Sequence, residues 1–145
     1  MLIIVRGLPG SGKSTIARRL LAEDYERFVH LENDMFLTKA TGEYIWSPSA
    51  YKAASAKCFE ITKLRLATGF HVIVSNCFLT NKAIKKYADL VNIDNLYIID
   101  VKSRFESIHN MSDKVMKRMQ SSFEDLSDLY KTRKTNTETL LALAI

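Results

Sequence analysis

Cysteine is nearly absent from this chain. The two residues, Cys58 and Cys77, lie far apart and show no C-x-x-C spacing. That excludes a disulfide framework and a cysteine zinc site, and both read as reduced thiols. The three histidines, His30, His71 and His109, have no metal-ligand spacing either. No apolar run approaches the roughly 18 residues that a membrane-spanning helix needs. The apolar run at the amino terminus is five residues long, too short for a signal peptide. A membrane is therefore not an expected partner, and the expected location is the cytoplasm. Proline (two) and glycine (five) are scarce, and there is no internal repeat or low-complexity segment. Neither sign of charge dominates: 21 Lys+Arg against 16 Asp+Glu give a net +5. That is only a weak bias toward polyanionic partners.

What is there is a 145-residue chain, 47% hydrophobic and 26% charged, a length that fits one soluble domain with one core. Gly7-Leu8-Pro9-Gly10-Ser11-Gly12-Lys13-Ser14-Thr15 meets the phosphate-loop pattern G-x-x-x-x-G-K-[ST] at every required position. The apolar, β-branched run before it reads as a buried strand, and the residues after it have helical apolar spacing. The glycines let the backbone approach phosphate oxygens. Successive N–H groups then point inward, and a helix starting near Lys13 adds its positive end. Lys13 supplies a cation for the outer phosphates and Ser14 a hydroxyl for Mg²⁺, while Thr15 is expected to pack. The expected cofactors are ATP and Mg²⁺.

In chain order, residues 2–6 predict a strand and 13–24 a helix. Residues 28–31 predict a short strand ending in the polar cluster Glu32-Asn33-Asp34. Residues 35–47 read as a loop with a small turn or hairpin. Ser47 and Pro48 start a long helix that stops at Gly69. Residues 72–74 predict a strand with Ser75-Asn76 at its carboxyl end, and Thr80 caps a helix over 81–91. Residues 95–101 predict a fourth strand, 102–111 a polar loop. Ser112 opens a last long helix with one apolar stripe: Val115, Met116, Met119, Phe123, Leu126 and Tyr130. Strands alternating with helices imply an α/β fold: a parallel sheet with right-handed crossovers, flanked by helices on both faces. Residues 1–130 form the domain. Residues 131–145 form a tail that docks, joins a partner copy as a homo-oligomer contact, or frays.

Ligands of such sheets bind beyond the carboxyl ends of the strands. Four segments converge there: the phosphate loop, Glu32–Asp34, Ser75-Asn76 and the loop after Val101. Asp34 either orients an acceptor hydroxyl and takes its proton or caps the next turn. Arg6 either contacts a phosphate or closes an ion pair at the strand end. Tyr44 and Trp46 either stack an acceptor base or pack on the 48–67 helix. Asp100 is a strand-end acid of the kind that holds Mg²⁺ through water. Nothing beside Cys77 marks it as an activated thiol.

The ordered set of segments adds a resemblance. Residues 6–15, Asn33-Asp34-Met35-Phe36, Gly42-Glu43-Tyr44-Ile45-Trp46-Ser47-Pro48 and Val72-Ile73-Val74-Ser75-Asn76 are similar to a P-loop kinase family. It is the family of the bacteriophage polynucleotide kinase domain, and especially its compact NEDD4-binding-protein-2-like branch. Ile108-His109-Asn110-Met111-Ser112 resembles that branch's I-H-G-V-P segment. The resemblance implies a three-layer P-loop NTPase fold with a parallel sheet of order 2-3-1-4, and transfer of the ATP γ-phosphate, with Mg²⁺, to a hydroxyl, in the best-known members the 5′-OH of DNA or RNA. It places the catalytic carboxylate on Asp34, the phosphate-loop lysine and metal hydroxyl on Lys13 and Ser14, and a polar pair on Ser75-Asn76. His109 becomes a lid donor or a loop hydrogen bond. Three positions depart from the pattern. Leu37 stands where the viral enzymes carry an arginine that holds the acceptor phosphate. Their lid arginine has Arg104 two positions away as its nearest counterpart. Asn110 and Ser112 replace the Gly and Pro of the loop motif.

The expected activity is thus phosphorylation of a nucleic-acid 5′-hydroxyl. The rivals are a kinase of a small nucleoside, nucleotide or modified base, and a nucleotide-binding interaction module with little or no transfer.

Overall fold

The computed structural model describes residues 1–102 and 112–143. Its first strand, β1 (Leu2–Arg6), is buried along its whole length. A central strand of a parallel sheet is covered on both faces, which is why Leu2-Ile3-Ile4-Val5 shows no polar alternation. The chain continues through α1 (Lys13–Glu23), β2 (Phe28–Leu31) and a short 3₁₀ turn at Asn33–Phe36. It then forms α2 (Pro48–Ala67), β3 (His71–Ser75), α3 (Asn81–Ala88) and β4 (Leu96–Asp100). Last come α4 (Asp113–Ser122), α5 (Asp128–Lys131), β5 (Lys134–Thr135) and α6 (Thr137–Leu143).

The sheet is parallel throughout, in the order β2-β3-β1-β4-β5. The expected 2-3-1-4 order is present, extended by one strand. Alternate residues of each strand serve opposite faces. Leu2, Ile4, Val72, Val74, Leu96 and Ile98 meet Cys58 of α2 and Ile84 and Tyr87 of α3 on one face. Ile3, Val5, Ile73 and Ile99 meet Ala17 and Leu20 of α1 and Leu140 of α6 on the other. The expected caps hold α2 and α3: Ser47 Oγ accepts from Ala50 N–H at 3.0 Å, and Thr80 Oγ1 from Ala83 N–H at 3.1 Å. No helix among the described residues is long and apolar enough to cross a membrane.

The predicted last helix is not continuous. Helix α4 ends at Ser122, residues 123–127 leave the helix, and α5 is a separate turn. The cause lies at Arg6, whose side chain is fully buried. The register of β1 on β4 sets Arg6 opposite Asp100, and the guanidinium lies 3.6 Å from that carboxylate. A buried guanidinium needs acceptors for its donors. Arg6 Nε donates to Phe78 C=O at 3.0 Å and Nη2 to Glu124 C=O at 2.9 Å, with Phe123's ring 3.9 Å beneath it. Glu124 N–H donates in turn to Leu79 C=O. These bonds go with an extended backbone at Phe123 (φ −77°, ψ 105°), which ends the helix there against its propensity. Met116, Leu126 and Tyr130 of the expected stripe are buried, but Val115 is exposed.

Lys134 and Thr135 pair with Ile98 and Ile99, and Arg133 Nε donates to Leu96 C=O at 2.9 Å. Leu140 is buried against the α1 face.

Candidate active site

The phosphate loop joins β1 to α1 as the sequence predicts. Gly12 has φ +95°, a conformation that L side chains rarely adopt, and it directly precedes the first helical residue. Gly7 is needed for space: a Cβ there would lie 2.5 Å from Ser11 Oγ and 3.0 Å from Val101 C=O. Lys13 Nζ donates to Leu8 C=O at 2.9 Å, so the lysine folds back along its own loop. Leu8, Pro9 and Gly10 are partly exposed and Ser11 is buried. Thr15 is exposed, against the packing role expected for it, because α1 turns Ala17 and Leu20 into the core instead.

Strands β2 and β3 end beside this loop, and parallel pairing brings their terminal polar residues together. Asn33 N–H donates to Asn76 Oδ1 at 2.9 Å, and Asn76 Nδ2 donates back to Asn33 Oδ1 at 3.1 Å. Asn33 Nδ2 also donates to Tyr51 Oη at 3.2 Å. Asn76 is therefore a clasp between the two strand ends. Ser75 Oγ donates to Glu32 Oε2 at 2.9 Å, and Ser14 Oγ donates to the same oxygen at 2.7 Å. His30 Nε2 lies 2.6 Å from Ser75 Oγ. Since Ser75 gives its proton to Glu32, its oxygen accepts from His30 Nε2–H. The polar chain thus runs His30 to Ser75 to Glu32, with Ser14 entering from the phosphate loop.

Sequence reasoning placed Glu32 in a polar cluster without a role and gave His30 none. The available signal for Glu32 was its position directly after a strand, the criterion that selected Asp34. Its partners Ser14 and Ser75 are distant in sequence, so the assembly is tertiary.

Burial holds His30 below the usual imidazole pKa, with Glu32 opposing and Arg18 adding to the shift. The unfolded chain protonates its histidines near pH 6.5. Between that value and the lower folded-state pKa the unfolded state binds more protons, so stability falls as pH falls through this window. His30 contributes up to about 1.4 kcal/mol per pH unit, and His71, also lowered by burial, acts in the same direction. Thermal melts at pH 7.5 and 5.5 are expected to show this loss. His30→Gln, which keeps a donor toward Ser75, is expected to reduce the slope.

Asp34 lies in the 3₁₀ turn and is exposed. Its side chain caps nothing in that turn; it accepts from Tyr44 Oη at 3.4 Å. Tyr44 belongs to the expected hairpin, which forms through the Thr38–Tyr44 bridge and the Lys39 N–H to Glu43 C=O and Ile45 N–H to Leu37 C=O bonds, both 2.8 Å. Tyr44 is 51% and Trp46 59% exposed, so neither packs fully against α2. Leu37, at the position of the resemblance's clamp arginine, is buried in the core. Cys77 lies close enough to Lys13 and Asp34 to feel both charges, and burial pushes its thiol up, which fits an inert cysteine.

Arg6 is an ion-paired strut, enclosed away from any phosphate. Asp100 is held by Arg6 and, at 3.3 Å, by Lys102. Arg104 and His109 lie outside the described residues. No cluster of three metal-binding side chains occurs among the described residues. The donor set instead fits Mg²⁺, which keeps most of its waters and takes few protein ligands. Ser14 would suit such a site: its proton goes to Glu32, leaving oxygen lone pairs free.

A glycine loop between a central parallel strand and a helix, with polar strand ends converging on it, defines a P-loop nucleotide-binding α/β domain with a kinase-like fold. The chain belongs to the AAA domain family, whose model matches residues 2–109. An uncharacterized protein of Pasteurella multocida is 36% identical over 80 residues, which are 52% of this chain and 42% of that relative. The match spans less than half of the relative's length. Kti12 of Chaetomium thermophilum, solved with ADP-AlF3, superposes with TM-score 0.70 at 17% identity, covering 99% of this chain and 96% of that one. A sugar kinase from Janibacter sp. gives 0.63 at 16% identity, covering 99% and 91%. A chain of the Pnkp1/Rnl/Hen1 RNA repair complex gives 0.54 at 20% identity, covering 99% of this chain and 44% of that one. These similarities establish the shared fold.

Proposed function

We propose that this chain is an ATP-dependent phosphotransferase whose acceptor is a nucleic-acid 5′-hydroxyl. The observation that carries the reading is the position of Asp34. Its exposed carboxylate stands in the turn that directly follows β2, at the strand ends that converge on the phosphate loop, and already accepts a hydrogen bond from a hydroxyl, that of Tyr44. Phosphoryl transfer is mostly positioning and charge neutralisation. Lys13 neutralises the outer phosphates of ATP, and the loop's backbone N–H groups cradle them. Asp34 orients the acceptor hydroxyl and takes its proton as the bond to phosphorus forms. Mg²⁺, on Ser14, supplies further charge neutralisation when bound.

The exposed ring of Tyr44, which is bonded to Asp34, and the exposed ring of Trp46 support an acceptor with a base to stack. The net charge of +5 supports a polyanion. Contacts to several phosphates release counterions, lowering log affinity by roughly 0.7 per log unit of salt for each single-strand phosphate. Transfer of labelled phosphate to 5′-OH oligonucleotides is expected to exceed transfer to nucleosides, with an oligonucleotide KM that rises steeply with salt. Equal transfer to nucleosides, indifferent to salt, would reject the nucleic-acid acceptor. The buried Leu37 favours that second reading, a small hydroxylated acceptor, because it removes the arginine clamp for an acceptor phosphate.

A further inference from the structure

Beneath the phosphate loop lies a carboxylate that the transfer mechanism above does not use. In P-loop enzymes the hydroxyl that ligates Mg²⁺ works beside a strand-end acid. The strand next to β1 on that side, β3, ends here in Ser75 and Asn76 and brings no carboxylate. Asp100, at the end of the other neighbour, β4, is committed to Arg6 and Lys102. One strand further out, Glu32 follows β2 and reaches back across Ser75 to Ser14.

The direction of each hydrogen bond matters. A serine oxygen that ligates a cation presents lone pairs to it, so its proton must point elsewhere. Glu32 Oε2 accepts that proton at 2.7 Å. The Glu32 side chain is 21% exposed, and its Oε2 is held in place by Ser75, itself fixed by His30. Both hydroxyls use Oε2, and among the described residues Oε1 has no hydrogen-bond donor, so it is free for a water. Groups that orient a metal ligand by hydrogen bonding tune metal affinity about 10–100-fold.

We infer that Glu32 is the positioning carboxylate of the Mg²⁺ site, aiming the Ser14 lone pairs at the cation and holding one of its waters. The acid comes from β2, with Ser75 as its brace. Asp100 serves the fold instead. This inference rests on the nucleotide reading of the loop, so its test separates the two.

The experiment measures ADP affinity by calorimetry with Mg²⁺ and with EDTA. Wild-type protein is expected to bind ADP in EDTA and to bind it more tightly with Mg²⁺. Glu32→Ala should leave the EDTA value within about twofold and reduce the gain from Mg²⁺ by roughly 10-fold or more. Glu32→Gln preserves volume and one acceptor oxygen while removing the charge; it should show a smaller loss of the same kind, and Glu32→Asp should recover part of the gain. An unchanged Mg²⁺ gain in both Glu32→Ala and Glu32→Gln overturns the inference while leaving the nucleotide reading intact. Equal losses with and without Mg²⁺ overturn it too, since they mark a support of the loop rather than of the metal. If Glu32→Ala melts well below wild type, the Glu32→Gln comparison decides alone. Wild-type protein that binds no ADP overturns the nucleotide reading and this inference together.

Discussion

Lys13→Ala is expected to weaken ATP binding by roughly 10–100-fold, the worth of hydrogen bonds to a charged group, and to lower phosphoryl transfer by about 10²–10³ or more. The lysine is the cation of the phosphate loop, and charge on the outer phosphates grows toward the transition state. Affinity and rate therefore fall together, the rate further. The structure separates this from a folding defect. Among the described residues Lys13 Nζ makes one hydrogen bond, to Leu8 C=O within its own loop, and the residue is partly exposed. Losing a partly solvated bond of this kind costs little, so the melting temperature should barely move. Calorimetric ATP titration, a labelled-transfer assay and a thermal melt on one preparation check all three statements. Wild-type transfer from a folded Lys13→Ala protein would remove the loop from the mechanism.

Local physics made the loop, the strands beside it and the helix caps readable in advance, while the strand order came from the family resemblance. Glycines before Lys13, an apolar run before the glycines, and Ser47 and Thr80 ahead of helical patterns all act within a few residues. What escaped the sequence reading depends on distant partners. The break after Ser122 is caused by a guanidinium 118 residues away, between Arg6 Nη2 and the Glu124 carbonyl. Periodicity sees Phe123 as one more apolar position of a helix and has no means of pricing a buried arginine. Strand β5 is two residues long and has no apolar pattern; pairing to the edge of β4 makes it a strand. Glu32 looked like any acid in a polar cluster, and its identity came from Ser14, 18 residues earlier, and Ser75, 43 later. Thr15 was assigned by default to packing because Ser14 was taken for the metal; helical geometry had already given the core to Ala17 and Leu20. Asp34 was readable as a candidate for capping or chemistry, and its contacts remove the cap.

Those contacts set up the sharpest comparison. Asp34→Asn is expected to leave ATP affinity and melting temperature nearly unchanged while lowering transfer by roughly 10²–10⁴, the usual worth of a positioned base. Asn has almost the volume of Asp and adopts the same turn. The turn's bond at this position uses the Asp34 main-chain carbonyl, which accepts from Leu37 N–H at 3.1 Å and is untouched by the substitution. The side chain's contact is with Tyr44 Oη at 3.4 Å on the exposed side, and the Asn carbonyl oxygen can accept that as well. A structural role would therefore survive the change. A role in taking a proton would not, since an amide has no basic site at neutral pH. The loss should also lie in the chemical step, with kcat falling and KM for ATP nearly constant, because in the proposed reaction Asp34 meets the acceptor and Lys13 meets the nucleotide. Transfer by Asp34→Asn at the wild-type rate would falsify the assignment, and the search for the base would move to the other polar strand ends around the loop.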